Sequence, residues 1–265
     1  MRPLPIVWLS TLAMTTAGCF EADTEITLGA DGSGSQTMRL ALSGQALATL
    51  RGAAAAVEAS ATRSDPLDVF DVNKVRAELE AAGLALVTHR TSDDADRRTV
   101  DLQVRFADLA ILARNPLTGG ARATWQVSRG AGRDDVRLVY FPQGDEAWKA
   151  ARQKARDLAQ EPDDTVQHFI TSRLRQIEGL DVTLTLQLPG DIIAHTANLR
   201  LESKRKVIAK IKASDIRTAT DLLVRLAPRY EVLFGCPGFP CPDLPVDASQ
   251  PKATAPASAT EATRR

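Results

Sequence analysis

Alternating apolar and polar positions mark several β-strands along the chain. In the runs 99–106 and 182–188, every second residue is aliphatic or aromatic and the residues between are polar or charged. A period of two predicts strands with one buried face and one solvated face. The alternation over 24–42 is interrupted by Asp31-Gly32-Ser33-Gly34, which predicts a hairpin around a glycine-containing turn. A second hairpin is predicted over 123–142, with Trp125 and Val127 paired against Val136, Leu138 and Tyr140.

Other segments carry apolar residues three or four positions apart, which is typical of helices. Helices are predicted over 43–57, 71–83, 144–160, 164–179 and 215–228. Asp71, Asp164 and Asp215 are expected to open three of them, because Asp is a favoured N-cap residue. Most consecutive strands can pair as hairpins, and helices do not alternate strictly with strands. This order predicts an α+β fold, with a mostly antiparallel sheet and helices packed on one face.

The predicted domain covers residues 19–235, with a helical insert at about 144–179. A short loop follows at 236–246. Residues 247–265 are rich in Ala, Thr, Ser and Pro and contain no aliphatic core residue, so we expect a disordered tail.

The chain begins with a short apolar leader, MRPLPIVWLSTLAMTTAGC. A bilayer-spanning helix needs roughly 20 apolar residues, and this run is shorter and interrupted. A basic residue, a short apolar stretch and small residues at its end are typical of a signal peptide, which we place at residues 1–18.

The end of this leader resembles the bacterial lipoprotein signal, usually Leu-Ala/Ser-Gly/Ala-Cys. Ala17, Gly18 and Cys19 match the pattern, and Thr16 departs from it. The resemblance implies that Cys19 becomes the first mature residue, carries a diacylglycerol thioether and anchors the domain in a membrane outside the cytoplasm. Phe20 stands where Asp would favour the inner membrane, so the outer membrane facing the periplasm is preferred. The alternative is an ordinary secretory leader.

The composition narrows the chemistry. Lys and Arg number 33 and Asp and Glu number 33, so the balanced chain has no basic field for nucleic acid. Apart from Cys19, the cysteines are Cys236 and Cys241. In an oxidising compartment such a pair predicts a disulfide. The alternative, a redox or metal pair, is disfavoured by the four intervening residues and the absence of a neighbouring histidine.

A local basic segment, ESKRKVIAKIK, covers residues 202–212. Contact with anionic headgroups is one interpretation of its basic residues, because each contributes about 1 kcal/mol near an anionic surface. A solvated strand face, with lysines protecting a sheet edge, is the other. The candidate headgroup contacts are Lys204, Arg205, Lys206, Lys210 and Lys212.

Several short motifs resemble those of LppM-type bacterial lipoproteins. They are the cysteine at the start of the mature chain, DGSG at 31–34, F-x-D-x-x-x-L at 106–112, LPG at 188–190 and ASDI at 213–216. The resemblance implies an α+β domain with a curved sheet, an apolar cavity and an association with envelope lipids. It implies no catalytic residues.

No enzymatic motif accompanies the three histidines, His89, His168 and His195. His195 is expected in a turn-like stretch that follows Pro189 and Gly190. The sequence lacks a G-x-S-x-G elbow, an H-E-x-x-H pair and a Walker loop. We therefore predict no catalytic residue, metal site or cofactor. The predicted function is a lipid-anchored, non-catalytic binding module for an amphiphile or lipid. The alternatives are an envelope scaffold that recruits a protein partner through the insert and, less favoured, a hydrolase.

Overall fold

A computed structural model describes residues 20–48, 66–94, 96–115, 117 and 123–241, without the side chain of Gln176. The predicted signal peptide, Cys19 and the predicted tail at 247–265 lie outside the described residues. The predicted loop at 236–246 is described only as far as Cys241.

The order of strands and helices follows the predicted pattern closely. In chain order the elements are β1 (Phe20–Leu28), β2 (Gly34–Ser43), α1 (Val72–Ala81), β3 (Ala85–Asp94), β4 (Arg97–Phe106), α2 (Leu109–Leu112), β5 (Thr124–Arg129), β6 (Asp135–Phe141), α3 (Asp145–Leu158), α4 (Asp163–Gln176), β7 (Leu180–Gln187), β8 (Ile192–His195), β9 (Arg200–Ser203), β10 (Lys206–Lys212), α5 (Ala219–Leu226) and β11 (Tyr230–Gly235). Residues 44–48 are also helical, and the rest of the helix predicted at 43–57 lies outside the described residues.

The described strands form two sheets. The larger has seven strands in the order β3-β4-β2-β1-β7-β10-β9, and the smaller has four in the order β5-β6-β11-β8. Strands β1 and β7 are parallel, whereas the other described pairs are antiparallel. The α+β class and the mostly antiparallel pairing are confirmed, and the structure divides the strands between two sheets.

The predicted alternation decides which face of the seven-stranded sheet is buried. On β1, Ala22 and Ile26 are almost fully buried while Asp23 and Glu25 are exposed. One apolar cluster joins the buried side chains of both sheets with those of the helices. The opposite face of the seven-stranded sheet is lined mostly by polar and charged side chains, with Ile208 of β10 as an apolar exception.

The smaller sheet carries an aromatic core. The rings of Trp125 and Tyr140 stack with their centroids 4.0 Å apart, and Tyr140 is followed by Tyr230 at 6.3 Å. The predicted pairing of the 124–140 hairpin is confirmed, because Trp125 faces Tyr140 and Val127 faces Leu138.

Two predicted caps and one predicted turn differ from the structure. Helix α4 begins at Asp163, after Pro162, so Asp164 lies in its first turn instead of capping it. Asp215 lies in a 3₁₀ turn, and Thr218 caps α5 because its hydroxyl accepts the N–H of Asp221 at 3.0 Å. Residues 192–195, expected to be turn-like, form β8 because they find a partner in β11.

A polar cavity on the open face of the seven-stranded sheet

The open face of the seven-stranded sheet contains a cavity of about 440 Å³. Five neighbouring strands, β3, β4, β2, β1 and β7, supply its walls. Its lining residues are Asp23, Thr24, Glu25, Thr37, Met38, Arg39, Thr88, Asp101, Leu102, Gln103, Thr183 and Thr185. Most of these side chains are hydrogen-bonding or charged, so the cavity fits a polar ligand better than an acyl chain.

One row of residues crosses this face with alternating charge. Arg90 pairs with Asp101, Asp101 with Arg39, and Arg39 with Asp23 in the strand registers. Thr183 and then Lys210 extend the row on the far side of Asp23. The Nε of Arg39 lies 4.0 Å from Oδ1 of Asp101, and more than half of each side chain is exposed. Both charges are therefore available to a ligand, because an exposed pair is only weakly stabilised.

The next row along the strands is mostly uncharged. Thr88, Gln103, Thr37, Glu25 and Thr185 follow one another in register. Hydroxyl and amide groups both donate and accept hydrogen bonds, whereas carboxylates only accept. The two rows together offer a surface for ammonium and hydroxyl groups, with Arg39 as a local partner for an anion.

The sequence predicted the polarity of this face but not the cavity. The period of two placed Asp101 and Gln103 on a wet face, and the same pattern holds for Thr183 and Thr185. The cavity depends on β1 lying beside β7, which is more than 150 residues away along the chain. No local pattern specifies that pairing.

The five predicted headgroup contacts are spread along β10 and the turn before it. Lys206, Lys210 and Lys212 alternate on the open face, in register with Gln187, Thr183 and Asp181. Arg205 lies in the preceding turn, where its Nε donates to Asp191 at 2.9 Å. Lys204 is exposed in the same turn.

Carboxylates accompany several of these basic groups. The Nζ of Lys206 lies 3.0 Å from Glu202 and 3.8 Å from Glu25, and the hydrogen bond to Glu202, with the Glu25 charge, raises the pKa of Lys206. Lys212 donates to Asp181 at 2.8 Å, which raises the pKa of Lys212. The basic segment is thus part of a mixed-charge surface, and headgroup contact stays a prediction.

The disulfide predicted between Cys236 and Cys241 is absent from the structure, in which both thiols are free. Packing and hydrogen bonds hold the loop instead. The N–H of Cys236 donates to the Asp134 carbonyl at 2.8 Å, and the buried Phe239 ring meets Phe234 edge-on at 5.5 Å. Burial raises the pKa of both thiols, which disfavours the thiolate form.

The three histidines lie on separate elements. His89 on β3 is half-buried, with Nε2 2.9 Å from the Val69 carbonyl oxygen. His168 is exposed on α4, and His195 on β8 contacts the neighbouring Thr196 carbonyl at 3.0 Å. Among the described residues, no group of three His, Cys, Asp or Glu side chains could hold a metal ion.

The predicted insert forms the two helices α3 and α4. The predicted apolar face of α4 points toward the protein, with Ile170 and Ile177 buried and Phe169 half-buried. The Nζ of Lys154 on α3 lies 4.8 Å from the Phe169 ring centroid, so the two helices contact each other. In the part of the chain that the structure describes, no helix is long and apolar enough to span a bilayer.

No known protein family and no curated protein matches the chain. Among solved structures, it is similar to the folded domain of LppM from Mycobacterium tuberculosis, determined by NMR. The identity is 14%, the TM-score is 0.41, and the match covers 83% of this chain and 91% of the LppM chain. The solved structure and the sequence motifs thus point to similarity with the same protein type.

Proposed function

We propose that this chain is a lipid-anchored envelope protein that binds the polar headgroup of an amphiphile on the open face of its seven-stranded sheet. The leader that ends at Cys19 supports the anchor, and the outer membrane facing the periplasm is the proposed location. The proposed binding role is supported mainly by the polar cavity of about 440 Å³.

The charges of the cavity favour an ammonium-bearing headgroup. Asp23 and Glu25 on β1 and Asp101 on β4 present three carboxylates. Between these two strands lies β2, which carries Arg39, the cation among the lining residues. Carboxylates accept charge-assisted hydrogen bonds from ammonium groups, and these are stronger than neutral hydrogen bonds. The surrounding threonines and Gln103 suit hydroxyl groups on the same ligand.

Packing argues against an acyl chain between the sheet and the helices. Ile26, Leu42 and Val100 lie on the buried face of the seven-stranded sheet, and each is 0% exposed. No water-sized space therefore adjoins these three side chains, and an acyl chain inserted beside them would have to displace their neighbours. The apolar cavity implied by the sequence resemblance is thus replaced in this proposal by a polar one, and the ligand's acyl chains stay in the membrane.

A binding experiment with a cationic and a neutral sugar tests this role. Isothermal calorimetry with a glucosamine trisaccharide is expected to give measurable binding, and maltotriose, which lacks amines, should bind more weakly. The double variant Asp23→Asn/Glu25→Gln should weaken the glucosamine trisaccharide several-fold, because it removes two charges from the cavity.

The matched control is Asp163→Asn/Asp164→Asn, which changes the net charge equally on the exposed start of α4. It should bind like the wild type, and circular dichroism should show that both variants are folded. Equal binding of the two sugars, or equal weakening by the two double variants, would contradict the cavity as the binding site.

The alternative function is an envelope scaffold that recruits a protein partner through the insert. Ile170 is buried and Phe169 half-buried, so a partner would have to bind the polar outer faces of α3 and α4. A partner that binds wild-type protein and is lost on substitution of exposed residues of α3 and α4 would favour the scaffold.

A further inference from the structure

The folded domain begins directly at the predicted anchor. Phe20 follows Cys19, is 1% exposed and opens β1. It lies in register with Leu42 and Leu180, and its N–H donates to the Gly179 carbonyl at 3.2 Å. The first residue after the predicted lipidated cysteine is therefore fixed in the core of the seven-stranded sheet.

Six strands of that sheet either begin or end at the same level. Phe20 pairs with Leu42, and Leu42 pairs with Arg98 at the start of β4. On the other side Asp181 pairs with Lys212 at the end of β10. This level is here called the anchor end of the sheet, and its strand termini are Phe20, Ser43, Asp94, Arg97, Leu180 and Lys212.

We propose that the anchor end of the sheet lies against the bilayer surface and that the strands stand away from the membrane. The inference rests on the proposed acylation of Cys19. One residue spans at most about 3.6 Å, so a lipid on Cys19 leaves Phe20 within a few ångströms of the headgroups. Because Phe20 is locked into the sheet, the domain has no tether that would let it rotate freely.

The charged residues at the anchor end suit such a surface. Arg97 pairs with Glu21, and Lys212 pairs with Asp181, so each cation is accompanied by a carboxylate. The exposed parts of these side chains can exchange partners with zwitterionic headgroups, which also carry both charges. Proximity here is set by the anchor and needs no net positive charge.

This orientation separates the predicted headgroup contacts. Through the registers, Lys212 is level with Glu21, Lys210 with Asp23 and Lys206 with Thr27. At about 3.3 Å per residue these levels lie about 3, 10 and 23 Å from Phe20.

Electrostatic attraction to a surface is screened over about 8 Å at physiological salt. Lys212 is therefore placed at the membrane, whereas Lys204, Arg205 and Lys206 are held away from it.

Chemical modification of native lysines tests the orientation without altering the fold. The acylated protein is reconstituted in phosphatidylcholine vesicles, acetylated with an N-hydroxysuccinimide ester and analysed by peptide mass spectrometry. The reference is the soluble Cys19→Ala protein produced without its leader. Lys212 should react several-fold more slowly in the vesicles than in the reference, and Lys204 should react at the same rate in both.

A linker variant supplies the matched control. About ten glycine and serine residues inserted between Cys19 and Phe20 span roughly 17 Å. This variant should stay bound to vesicles, and Lys212 should regain the reactivity of the reference. Equal protection of Lys204 and Lys212 in bound wild-type protein, or protection that survives the linker, would overturn the orientation alone. Failure of the wild type to float with vesicles would overturn the anchor and the orientation together.

Discussion

Glu78 on α1 is a half-buried carboxylate next to a second acid. Burial is the main cause that raises the pKa of Glu78 to about 7, the Asp68 charge adds to it, and Lys74 acts in the opposite direction. Lys74 is itself held by Asp68, with Nζ 2.5 Å from Oδ1. The folded protein thus binds a proton at Glu78 that the unfolded chain releases near pH 4.5.

The raised pKa makes the stability of the fold depend on pH. Between about pH 4.5 and about pH 7 the folded state holds more protons at this site than the unfolded state, so stability falls as the pH rises. Glu78→Gln removes this penalty and should stabilise the protein at pH 8 by about 1 kcal/mol, a value reduced for the partial exposure of the group. Urea unfolding at pH 5 and pH 8 measures the change.

Glu80→Gln is the matched control, because it removes the same charge from an exposed position on α1. It should leave the difference between pH 5 and pH 8 close to that of the wild type. An unchanged pH dependence in Glu78→Gln would show that the carboxyl is already ionised throughout this range.

The two cysteines after β11 were not placed correctly from the sequence. A pair of cysteines in an expected oxidising compartment, Cys236 and Cys241, predicted a disulfide, whereas the structure leaves both free. The number of cysteines and the expected compartment do not determine where the two thiols lie in the folded protein. The position of Cys236 is set instead by a hydrogen bond to Asp134 and by the neighbouring Phe239, which no local pattern reveals.

The connection from β7 to β8 links the seven-stranded sheet to the four-stranded sheet. Gly190 lies in this connection and packs against the backbone of β11. A Cβ on Gly190 would lie 1.6 Å from the Gly235 carbonyl oxygen, and the N–H of Gly235 donates to the Asp191 carbonyl at 3.0 Å. Close backbone contact here depends on the missing side chain.

Gly190→Ala should therefore destabilise the protein strongly. The added methyl group must displace backbone, and we expect a loss of about 3 kcal/mol in the free energy of unfolding. Gly235→Ala is the matched control, because a Cβ there meets nothing within 4 Å. It should change the stability by less than about 0.5 kcal/mol, and urea unfolding compares the two. Similar losses in both variants would contradict the proposed close contact.

Elements formed by local pairing were predictable, and those formed by distant pairing were not. The hairpin of β1 and β2 and that of β5 and β6 follow from alternation and turn residues, and both are confirmed. The parallel pair of β1 and β7 and the short β8 need partners far along the chain. Because the cavity crosses β1 and β7, its polarity was predictable from the sequence and its existence was not.

A lipid on Cys19 would set the orientation of the whole domain, including the seven-stranded sheet and its cavity, relative to the membrane. With the anchor end at the bilayer, Asp23 and Glu25 stand three and five residues above Phe20. That is about 10 to 17 Å at 3.3 Å per residue. The cavity would then face ligands whose polar part rises above the headgroups. The proposed orientation therefore depends on a lipid at Cys19.

Intact mass spectrometry of the protein purified from membranes tests this dependence most directly. The wild type should begin at Cys19 and carry the added mass of its acyl chains, whereas a Cys19→Ala variant should lack that mass and leave the membrane fraction. Two acyl chains are sufficient for stable anchoring, so the separation should be nearly complete. A wild-type protein with the mass of the cleaved but unacylated chain, recovered soluble from the periplasm, would contradict the anchor and with it the proposed orientation.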